Sequence, residues 1–500
     1  MLKRLLIILI IFSMLFALLS GCSGNGRNNS TPDAKNTGDS DSADGNGNEV
    51  AVDNTTERIK PDLPDDLNFN GDTFTFLVTG PAYGFGYYET IDIYTEEQNG
   101  ETLNDAVYIR NRNVEEKLNI NIAQYKSDRV SNDVKKTVSA GDNSYDAIFG
   151  DMYESSGMAQ NKLVMNLKEM PYIDLDKPWW DKNAEQDLSV KNKLYFTVSD
   201  ISTMAKACTR LLIFNKKLVK DFELGDPYEH VKNNTWTFDV YAKMVKSVYV
   251  DVNGNGQYDD EDIYGVIREN HSPYFFSVGF GERLTTNDGN GYPQITYNTD
   301  RLYDAINKIC DLYFDDSICR GVENMKHTAN FTNVYTYARS LFSNDRFLFH
   351  LAGPLILEEF RDMESDFGLL PMPKLNESQP RYYHTTDPDS AILSIPITCD
   401  PNKTGAALEA MAAESMYTVT PAYNETLLKR KYVRDDESEF ILDIVYASRT
   451  YDLCRLFGWG GLNFLMDGLT AKKSRNLASE IEKIQNKTQK AIDKTVEAFE

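Results

Sequence analysis

The sequence lacks the short motifs that mark the common catalytic sites. It contains no GxSxG, HExxH, P-loop or Rossmann glycine pattern. Its five histidines are scattered, and none stands at metal-ligand spacing from another: His230, His271, His327, His350 and His384. Serine-hydrolase, zinc-protease and nucleotide-binding functions are therefore not indicated. A glycoside hydrolase needs only two carboxylates at a suitable separation, so this class stays open in a chain with 76 acidic residues.

Basic residues are also fewer than acidic ones. The 52 lysines and arginines are outnumbered by 76 aspartates and glutamates, which gives a formal net charge of −24. Binding of phosphates requires a basic face, so nucleic acid is excluded as a partner. A hydrophobic content of 41% is ordinary for a folded protein. A length of 500 residues is too great for one core and sufficient for two lobes.

Cysteine is rare, and its spacing matches no redox or zinc pattern. Beyond Cys22 there are Cys208, Cys310, Cys319, Cys399 and Cys454. An odd number leaves at least one free thiol. Both a Cys310–Cys319 disulfide and a set of buried free thiols are compatible with the sequence.

Long apolar runs are absent except at the N-terminus. There, Lys3 and Arg4 precede LLIILIIFSMLFALL, and the run ends at LLSGC. A basic segment, an apolar segment and small residues are typical of a signal peptide, although a retained transmembrane anchor has a similar pattern. LSGC resembles the bacterial lipobox, which predicts a signal peptide over 1–21, lipidation of Cys22 and anchoring at the extracellular face of a bacterial cell membrane.

The segment that follows is rich in Gly, Asn, Ser, Asp and Thr up to about residue 64. Such a composition buries too little apolar surface to offset the entropy of ordering, so we expect 22–67 to be a disordered tether.

Strand-like and helix-like patterns alternate in the rest of the chain. DTFTFLVTG (72–80), INIAQY (120–125), YDAIFGD (145–151) and RLLIFNKKL (210–218) are predicted as strands, and the first three enclose helices over 103–118 and 133–140. The C-terminal third predicts helices over 406–418, 437–456 and 474–499. This alternation indicates an α/β protein with a parallel or mixed sheet flanked by helices.

The order of several segments resembles the extracellular solute-binding proteins of ABC importers, in the group that mostly carries sugars and oligosaccharides. The segments include NGETLNDAVYIRNRNVEEKLNINI (99–122), AGDNSYDAIFGDMY (140–153) and FGLLPMPKLNESQPRYY (367–383). The resemblance implies a two-lobe periplasmic-binding-protein-like α/β fold, with a ligand cleft between the lobes and a helical C-terminus. It further implies a monomer that delivers a sugar or oligosaccharide to the transmembrane subunits of an ABC permease. A surface polysaccharide-docking module would share the same composition.

The resemblance also implies where the lobes divide. Lobe one would comprise 68–200 and 375–417, and lobe two 201–374 and 418–500. The chain would cross between them near 199–210, 368–374 and 417–423. Prolines in LLPMPK and TVTPAY agree with breaks at the last two points.

One acidic loop, DVNGNGQYDDED (251–262), has the spacing of an EF-hand calcium loop. Its residues at positions 1, 3, 5, 7, 9 and 12 are Asp251, Asn253, Asn255, Gln257, Asp259 and Asp262. Position 12 is one methylene shorter than the usual Glu, and a strand-like segment stands where a second helix would be. We therefore expect a structural Ca²⁺ site in lobe two rather than a sensor, with a plain acidic turn as the alternative.

Candidate ligand residues follow from the chemistry of sugars, which present apolar faces and a rim of hydroxyls to aromatic rings and carboxylates. Asp151 and Tyr153 stand at the carboxyl end of a predicted strand, where open α/β sheets bind ligands. The resemblance supports Asp151 and adds positions in lobe two and on the return to lobe one. The full set comprises Asp151, Tyr153, Trp180, Asp200, Tyr274, Tyr383, Asp387 and Trp459. Leu355 stands where similar proteins often carry an aromatic residue, which argues against stacking there.

Overall fold

A computed structural model describes residues 58–326, 329–429 and 437–500. The predicted signal peptide, Cys22 and the predicted tether up to residue 57 lie outside the described residues. Ile59–Glu500 form one compact unit. Residues 59–67 of the predicted tether belong to this unit, since Leu63 and Leu67 pack against the core, and the prediction of a disordered tether is wrong for them.

The described residues contain the following strands: β1 (Asp72–Thr79), β2 (Ile120–Ser127), β3 (Ala147–Asp151), β4 (Leu211–Asn215), β5 (Tyr249–Val250), β6 (Ile263–Arg268), β7 (Thr285–Asn287), β8 (Pro293–Ile295), β9 (Cys319–Gly321), β10 (Phe347–Ala352), β11 (Phe367–Leu370), β12 (His384–Thr385), β13 (Ala391–Ser394) and β14 (Arg449–Thr450). They contain these α-helices: α1 (Thr102–Leu118), α2 (Val130–Ala140), α3 (Met152–Gln160), α4 (Lys182–Leu188), α5 (Met204–Ala207), α6 (Lys216–Asp221), α7 (Pro227–Lys232), α8 (Phe238–Lys246), α9 (Ser272–Gly279), α10 (Asp300–Tyr313), α11 (Val334–Ser343), α12 (Pro401–Tyr417), α13 (Val419–Lys429), α14 (Glu437–Ala447), α15 (Leu453–Phe457), α16 (Leu465–Ala471) and α17 (Leu477–Phe499). Short 3-10 helices occur at Tyr83–Gly86, Leu167–Glu169, Val322–Asn324, Pro354–Phe360 and Trp459–Phe464.

Lobe one is built on a sheet with strand order β13-β3-β1-β2. The alternation in DTFTFLVT buries Phe74, Phe76 and Val78 of β1. Strand β1 is parallel to both β2 and β3, so the carboxyl ends of all three strands lie at one edge. Strand β13 closes the sheet and runs antiparallel to β3.

Lobe two is built on a mixed sheet with order β11-β4-β10-β6-β5, and β9 pairs with β6. Every residue of the apolar strand β4 is buried, as expected for a strand paired on both sides. Strands β10 and β6 are parallel, and β4 is antiparallel to its two neighbours. The sequence prediction of a mixed sheet flanked by helices is confirmed for both lobes.

Two segments that connect the lobes lie side by side. The backbone N–H of Arg210 donates to the carbonyl of Thr385, and that of Asp387 donates to the carbonyl of Cys208, each over 3.0 Å. The crossing predicted near 368–374 lies too early in the chain. Lys374 exchanges backbone hydrogen bonds with Trp236 and Phe238 (3.2 and 2.7 Å), which keep it in lobe two, and the chain returns to lobe one only after residue 384.

The helical C-terminal part also differs in detail from the prediction. The helix predicted over 437–456 is divided into α14 and α15, because β14 pairs with β12 between them. Helix α13 packs against α1 and α12 and so belongs to lobe one, although the predicted boundary at residue 417 assigns it to lobe two. Helix α17 packs against α3 of lobe one and against the segment Trp459–Phe464.

Two further expectations concern the cysteines and membrane-spanning helices. Cys208, Cys310, Cys319, Cys399 and Cys454 are all free and buried, so the Cys310–Cys319 disulfide does not form. Within the described ranges, no helix combines the length and the apolarity that crossing a bilayer requires.

Candidate functional site

A cavity of about 480 Å³ lies between the two lobes. This volume is within the range of roughly 300–1,000 Å³ that is usual for small-molecule sites. Lobe one lines it with the Tyr83–Gly86 segment, the first turn of α3 and the segment after β12. Lobe two lines it with Arg210, the residues after β6 and β10 and the start of α11. Residues between 455 and 467, which contact elements of both lobes, complete the wall.

The lobe-one wall combines tyrosine hydroxyls with buried carboxylates. The Tyr83 hydroxyl donates to Asp389 Oδ1 over 2.9 Å, and the Tyr88 hydroxyl donates to Asp387 Oδ2 over 3.3 Å. Asp151 caps α3 by accepting from the backbone N–H of Glu154 over 2.8 Å. Burial raises the pKa of Asp151 to about 6. Burial, together with the charge of Asp387, raises the pKa of Asp389 to about 6.

Arg210 connects this wall to lobe two. Its guanidinium donates to Asp387 Oδ2 and stands 5.0 Å from the centre of the Phe275 ring. Burial lowers the pKa of Arg210, but the charges of Asp387 and Glu269 outweigh burial and hold that pKa above its ordinary value. Glu269 is in turn paired with His271, and its Oε1 lies 3.9 Å from Nε2 of His350. The Arg210–Asp387 and Glu269–His271 pairs in the cavity wall therefore interact electrostatically.

A second contact between the lobes lies in the wall of the cavity. The guanidinium carbon of Arg339, on α11, stands 4.4 Å from the ring centre of Tyr87 in lobe one. Arg339 Nε also donates to Glu359 Oε2 over 2.9 Å. This cation–π contact joins the lobes without filling the cavity.

Two of the predicted ligand residues line the cavity directly, and a third adjoins it. Tyr153 and Asp387 are part of the wall. Asp151 is buried behind it and interacts with the cavity-lining hydroxyl of Tyr83. These residues meet because β3 ends at the same sheet edge as β1, and because the chain returns to lobe one beside Arg210.

The two predicted tryptophan platforms are wrong. Trp180 is buried, and its indole N–H donates to Glu409 Oε2 over 2.9 Å. Trp459 is buried and stacked on Phe457, with ring centres 5.1 Å apart, and its indole N–H donates to Thr495 Oγ1 over 2.8 Å. Each indole has an internal acceptor, and neither lines the cavity between the lobes. Trp180 instead borders a separate cavity of about 70 Å³.

Three other predicted residues lie outside the cavity wall. Asp200 is paired with Lys206 over 2.6 Å and borders a separate cavity of about 70 Å³. Tyr383 contacts Arg381, whose guanidinium carbon is 4.7 Å from the ring centre, and borders another surface cavity. Tyr274 is buried behind Arg455, and its neighbour Phe275 lines the cavity instead. Leu355 does line the cavity, and it offers no aromatic face.

Sequence reasoning missed several residues of the wall: Tyr83, Tyr87, Tyr88, Arg210, Arg339, Arg455, Phe464, Asp467 and Asp389. The three tyrosines could have been predicted from the local sequence. They belong to GPAYGFGYYET (80–90), a run with four aromatic residues that directly follows the buried strand β1. The arginines had none, because their positions depend on contacts between distant parts of the chain.

A larger cavity of about 820 Å³ lies between α4 of lobe one and the β7–β8 hairpin of lobe two. Its charged groups are paired with one another: Arg283 with Asp187 at 3.0 Å, and Lys168 with Glu185 at 3.3 Å. Few aromatic rings line it. We therefore place the candidate site in the smaller cavity, where aromatic faces and polar groups converge.

The predicted calcium loop lies between β5 and β6. Asp251 accepts backbone N–H groups from Gly254 and Gly256 (2.7 and 2.8 Å), and Asp262 is buried and accepts from the N–H of Asp259 over 3.2 Å. The amides of Asn253 and Asn255 donate to Asp259 (3.2 and 2.8 Å). No group of three or more His, Cys, Asp or Glu side chains in the described residues is arranged to hold a metal ion. Calcium binding therefore stays a prediction.

No protein-family model and no curated protein matches the sequence. Solved structures share its fold. A cyclo/maltodextrin-binding protein complexed with maltotetraose aligns with a TM-score of 0.52 and 14% identity, over 86% of this chain and 96% of that chain. The apo-form of RafE from Streptococcus pneumoniae aligns with a TM-score of 0.51 and 12% identity, over 85% of this chain and 98% of that chain. The chain therefore has the two-lobe, periplasmic-binding-protein-like α/β fold with a helical C-terminal part, as predicted.

Proposed function

We propose that the protein captures a sugar or oligosaccharide in the cavity between its lobes and delivers it to the transmembrane subunits of an ABC permease. The observation that carries the proposal is the composition of that cavity. Tyr83, Tyr153 and Phe275 line it together with the carboxylates of Asp387 and Asp389. Aromatic rings suit the apolar faces of a sugar, and charged groups form strong hydrogen bonds with its hydroxyls.

The fold supports the same proposal. A cyclo/maltodextrin-binding protein complexed with maltotetraose shares it. Two lobes that close on a ligand bury it from both sides, and preferential binding to the closed state raises the population of that state.

We further propose that the protein acts as a monomer anchored outside the cell by lipid on Cys22. Mass spectrometry of the N-terminal peptide from membranes tests the anchor, and an unmodified Cys22 would contradict it.

The test of function is binding of oligosaccharides to the purified protein without cleavage. We expect a sugar ligand to raise the melting temperature, because it binds only the folded state. Replacing Tyr153 by alanine should lower the affinity for that ligand about tenfold, since one aromatic ring of the wall is lost. Tyr125→Ala is the matched control, because Tyr125 is an exposed tyrosine of β2 that does not line the cavity.

Each result of this assay bears on a different function. Intact sugar recovered after binding supports a transport protein. Cleaved sugar would indicate a glycoside hydrolase, for which Asp151 and Asp389 would be the first carboxylates to examine. Binding of long polysaccharide without binding of short oligosaccharides would instead indicate a surface docking module.

We also propose that the loop of residues 251–262 binds a structural Ca²⁺ ion through Asp251, Asn253, Asn255, Gln257, Asp259 and Asp262. Two facts support the proposal: the spacing matches an EF-hand loop, and the loop is closed around Asp251 and Asp262 by backbone hydrogen bonds. Gln257 would contribute its backbone carbonyl oxygen, because the backbone carbonyl is the usual ligand at position 7.

Removal of calcium should lower stability and leave sugar binding unchanged. At a Ca²⁺ concentration of about 100 times Kd, the stabilisation is about 2.7 kcal/mol, so a chelator should lower the melting temperature. The variant Asp251→Ala should melt at the same temperature with and without chelator. A wild-type melting temperature that does not change with chelator, or a sugar affinity that changes more than tenfold with calcium, would contradict the proposal.

A further inference from the structure

Helix α17 carries a straight row of lysines, which we call the lysine stripe. Lys483, Lys487, Lys490 and Lys494 follow one another at intervals of four, three and four residues, and all of them are exposed. On an α-helix these positions fall within about 60° of one another around the axis, so the stripe is narrow and about 17 Å long. Such a concentration of positive charge stands out in a chain with a formal net charge of −24.

The lysine stripe lies on the side of α17 that faces away from the rest of the protein. Thr488, Ile492 and Thr495 are fully buried, and they are centred about 140° away from the stripe around the helix axis. Thr495 Oγ1 accepts from the indole N–H of Trp459 over 2.8 Å, which ties this buried face to the Trp459–Phe464 segment. The helix is therefore held firmly on one side and presents its lysines to solvent on the other.

The charges of the lysine stripe are not balanced within the protein. Lys483 pairs with Glu480 over 2.5 Å, but the side chains of Lys487, Lys490 and Lys494 have no ion-pair partner among the described residues. Like charges three or four residues apart on a helix repel each other and destabilise it. A row of residues that lowers the stability of its own helix is expected where a function requires it, here the binding of a partner with negative charge.

We infer that the lysine stripe of α17 docks on the headgroups of anionic phospholipids and thereby orients the protein on the surface of the bilayer. This inference goes beyond the proposed function, and it uses the proposed lipid on Cys22 only as the group that keeps the helix near the membrane. The contact is electrostatic, because the apolar side of α17 is already buried against the protein and is not free to insert among acyl chains.

The distance between the anchor and the folded part favours a membrane over other anionic partners. The 35 residues 23–57 separate Cys22 from the described chain. Even fully extended, a chain of that length spans at most about 125 Å, so lipid on Cys22 gives α17 a high local concentration of headgroups. The acidic remainder of the protein does not prevent the contact, because exposed charges more than about 8 Å away are screened at physiological ionic strength. Lysine ammonium groups bind phosphates as point charges, as a surface of headgroups requires.

The test is co-sedimentation of the unlipidated chain 22–500, with Cys22→Ser, with lipid vesicles. This chain contains the whole compact unit Ile59–Glu500. Vesicles of phosphatidylcholine alone are compared with vesicles that contain about 30% phosphatidylglycerol, at about 0.1 and 1 M salt. We expect binding to the anionic vesicles at low salt, and binding at least about tenfold weaker to neutral vesicles or at high salt. The triple variant Lys487→Gln/Lys490→Gln/Lys494→Gln should lose about tenfold in affinity for the anionic vesicles.

A matched control has the same change in net charge at other places. Lys135→Gln/Lys162→Gln/Lys220→Gln replaces three exposed lysines that are far apart in the sequence, and it should bind the anionic vesicles like the wild type. The stripe variant should melt no lower than the wild type, because glutamine keeps a high helix propensity and the repulsion between the lysines is removed. It should also bind sugars like the wild type, since the buried side of α17 next to the cavity wall is unchanged.

Several results would overturn the docking surface and leave the proposed function intact: no binding to anionic vesicles, binding that is equal with neutral vesicles, or equal losses in the two triple variants. Binding of poly-glutamate without binding of vesicles would assign the lysine stripe to an acidic protein partner and would also overturn membrane docking. A wild type that binds anionic vesicles through the stripe but binds no sugar would contradict the proposed function alone.

Discussion

Replacement of Trp180 by alanine lowers the free energy of unfolding by about 3–5 kcal/mol and leaves sugar affinity unchanged. Trp180 is only 3% exposed, so truncation removes a large volume from the core. It also deprives Glu409 of one of its two indole donors, which bind its oxygens over 2.9 Å from Trp180 and 3.2 Å from Trp179. Urea unfolding of the ligand-free protein measures the loss.

The variant Trp180→Phe separates the ring from its N–H group. Burial raises the pKa of Glu409 to about 7, and the indole hydrogen bonds oppose that rise. A carboxyl whose pKa is raised by folding contributes stability below about pH 4.5, and that contribution is lost as the pH rises through 7. Trp180→Phe removes an opposing hydrogen bond, so the pKa of Glu409 should rise further. The difference in stability from the wild type should therefore stay nearly constant at acidic pH and grow as the pH rises past about 7, where Glu409 ionises in the wild type and is still protonated in the variant.

The opposite result would support the prediction from the sequence that Trp180 contacts the ligand. A Trp180→Ala protein of undiminished stability with sugar affinity lowered tenfold or more would mean that the indole contacts ligand. Trp180→Ala is therefore measured both by unfolding and by calorimetry with the same oligosaccharides.

The tryptophans illustrate what the sequence does not contain. Trp179 and Trp180 follow a proline in a segment without regular periodicity, which is typical of an exposed loop. Their burial depends on Glu409, which is 229 residues from Trp180 in the chain. Trp459 is flanked by glycines, but those glycines allow the turn to pack against α17 rather than exposing the indole. Local composition describes the backbone in each case and not the partner of the side chain.

Other features could be predicted because they depend on local patterns. Strands β1 and β3 have clear apolar runs, and their parallel pairing brings Tyr153 to the cavity and Asp151 next to it. Asp387 lies in the cavity wall, as its place on the return to lobe one suggested, although the crossing itself was placed too early. The tyrosines of residues 80–90 were overlooked despite a clear local signal. Arg210 was not predictable, because its partner Asp387 is 177 residues away.

Replacement of Arg210 by methionine destabilises the protein by about 3–5 kcal/mol at pH 7. The Arg210 side chain is only 13% exposed and that of Asp387 only 10%, so the pair is shielded from water. Methionine retains an apolar stem but removes the guanidinium that stands over Phe275, and it leaves the carboxylate of Asp387 buried and unpaired, with Glu269 nearby. Lys308→Met is the matched control, because the Lys308–Asp239 pair is exposed and should contribute about 0–1 kcal/mol.

The effect of Arg210→Met depends on pH, and its direction follows from Asp387. Burial by itself would raise the pKa of Asp387, but the charge of Arg210 holds that pKa below its ordinary value. In the wild type, Asp387 therefore contributes stability above about pH 4, and that contribution is lost as the pH falls through its lowered pKa. Without Arg210 burial dominates, the pKa of Asp387 rises above about 4, and its contribution is lost as the pH increases.

The two proteins should thus differ least near pH 4 and most near pH 7, which urea unfolding at a series of pH values measures. Arg210→Met should also lose most of its sugar affinity at pH 7, because Asp387 and Phe275 of the cavity wall are both placed by the guanidinium. The double variant Arg210→Met/Asp387→Asn removes the unpaired charge and should recover part of the stability but not the affinity. A stability difference that stays constant from pH 4 to pH 7 would mean that Asp387 has the same protonation state in both proteins over this range, and it would contradict the prediction that Arg210 keeps Asp387 ionised against its burial.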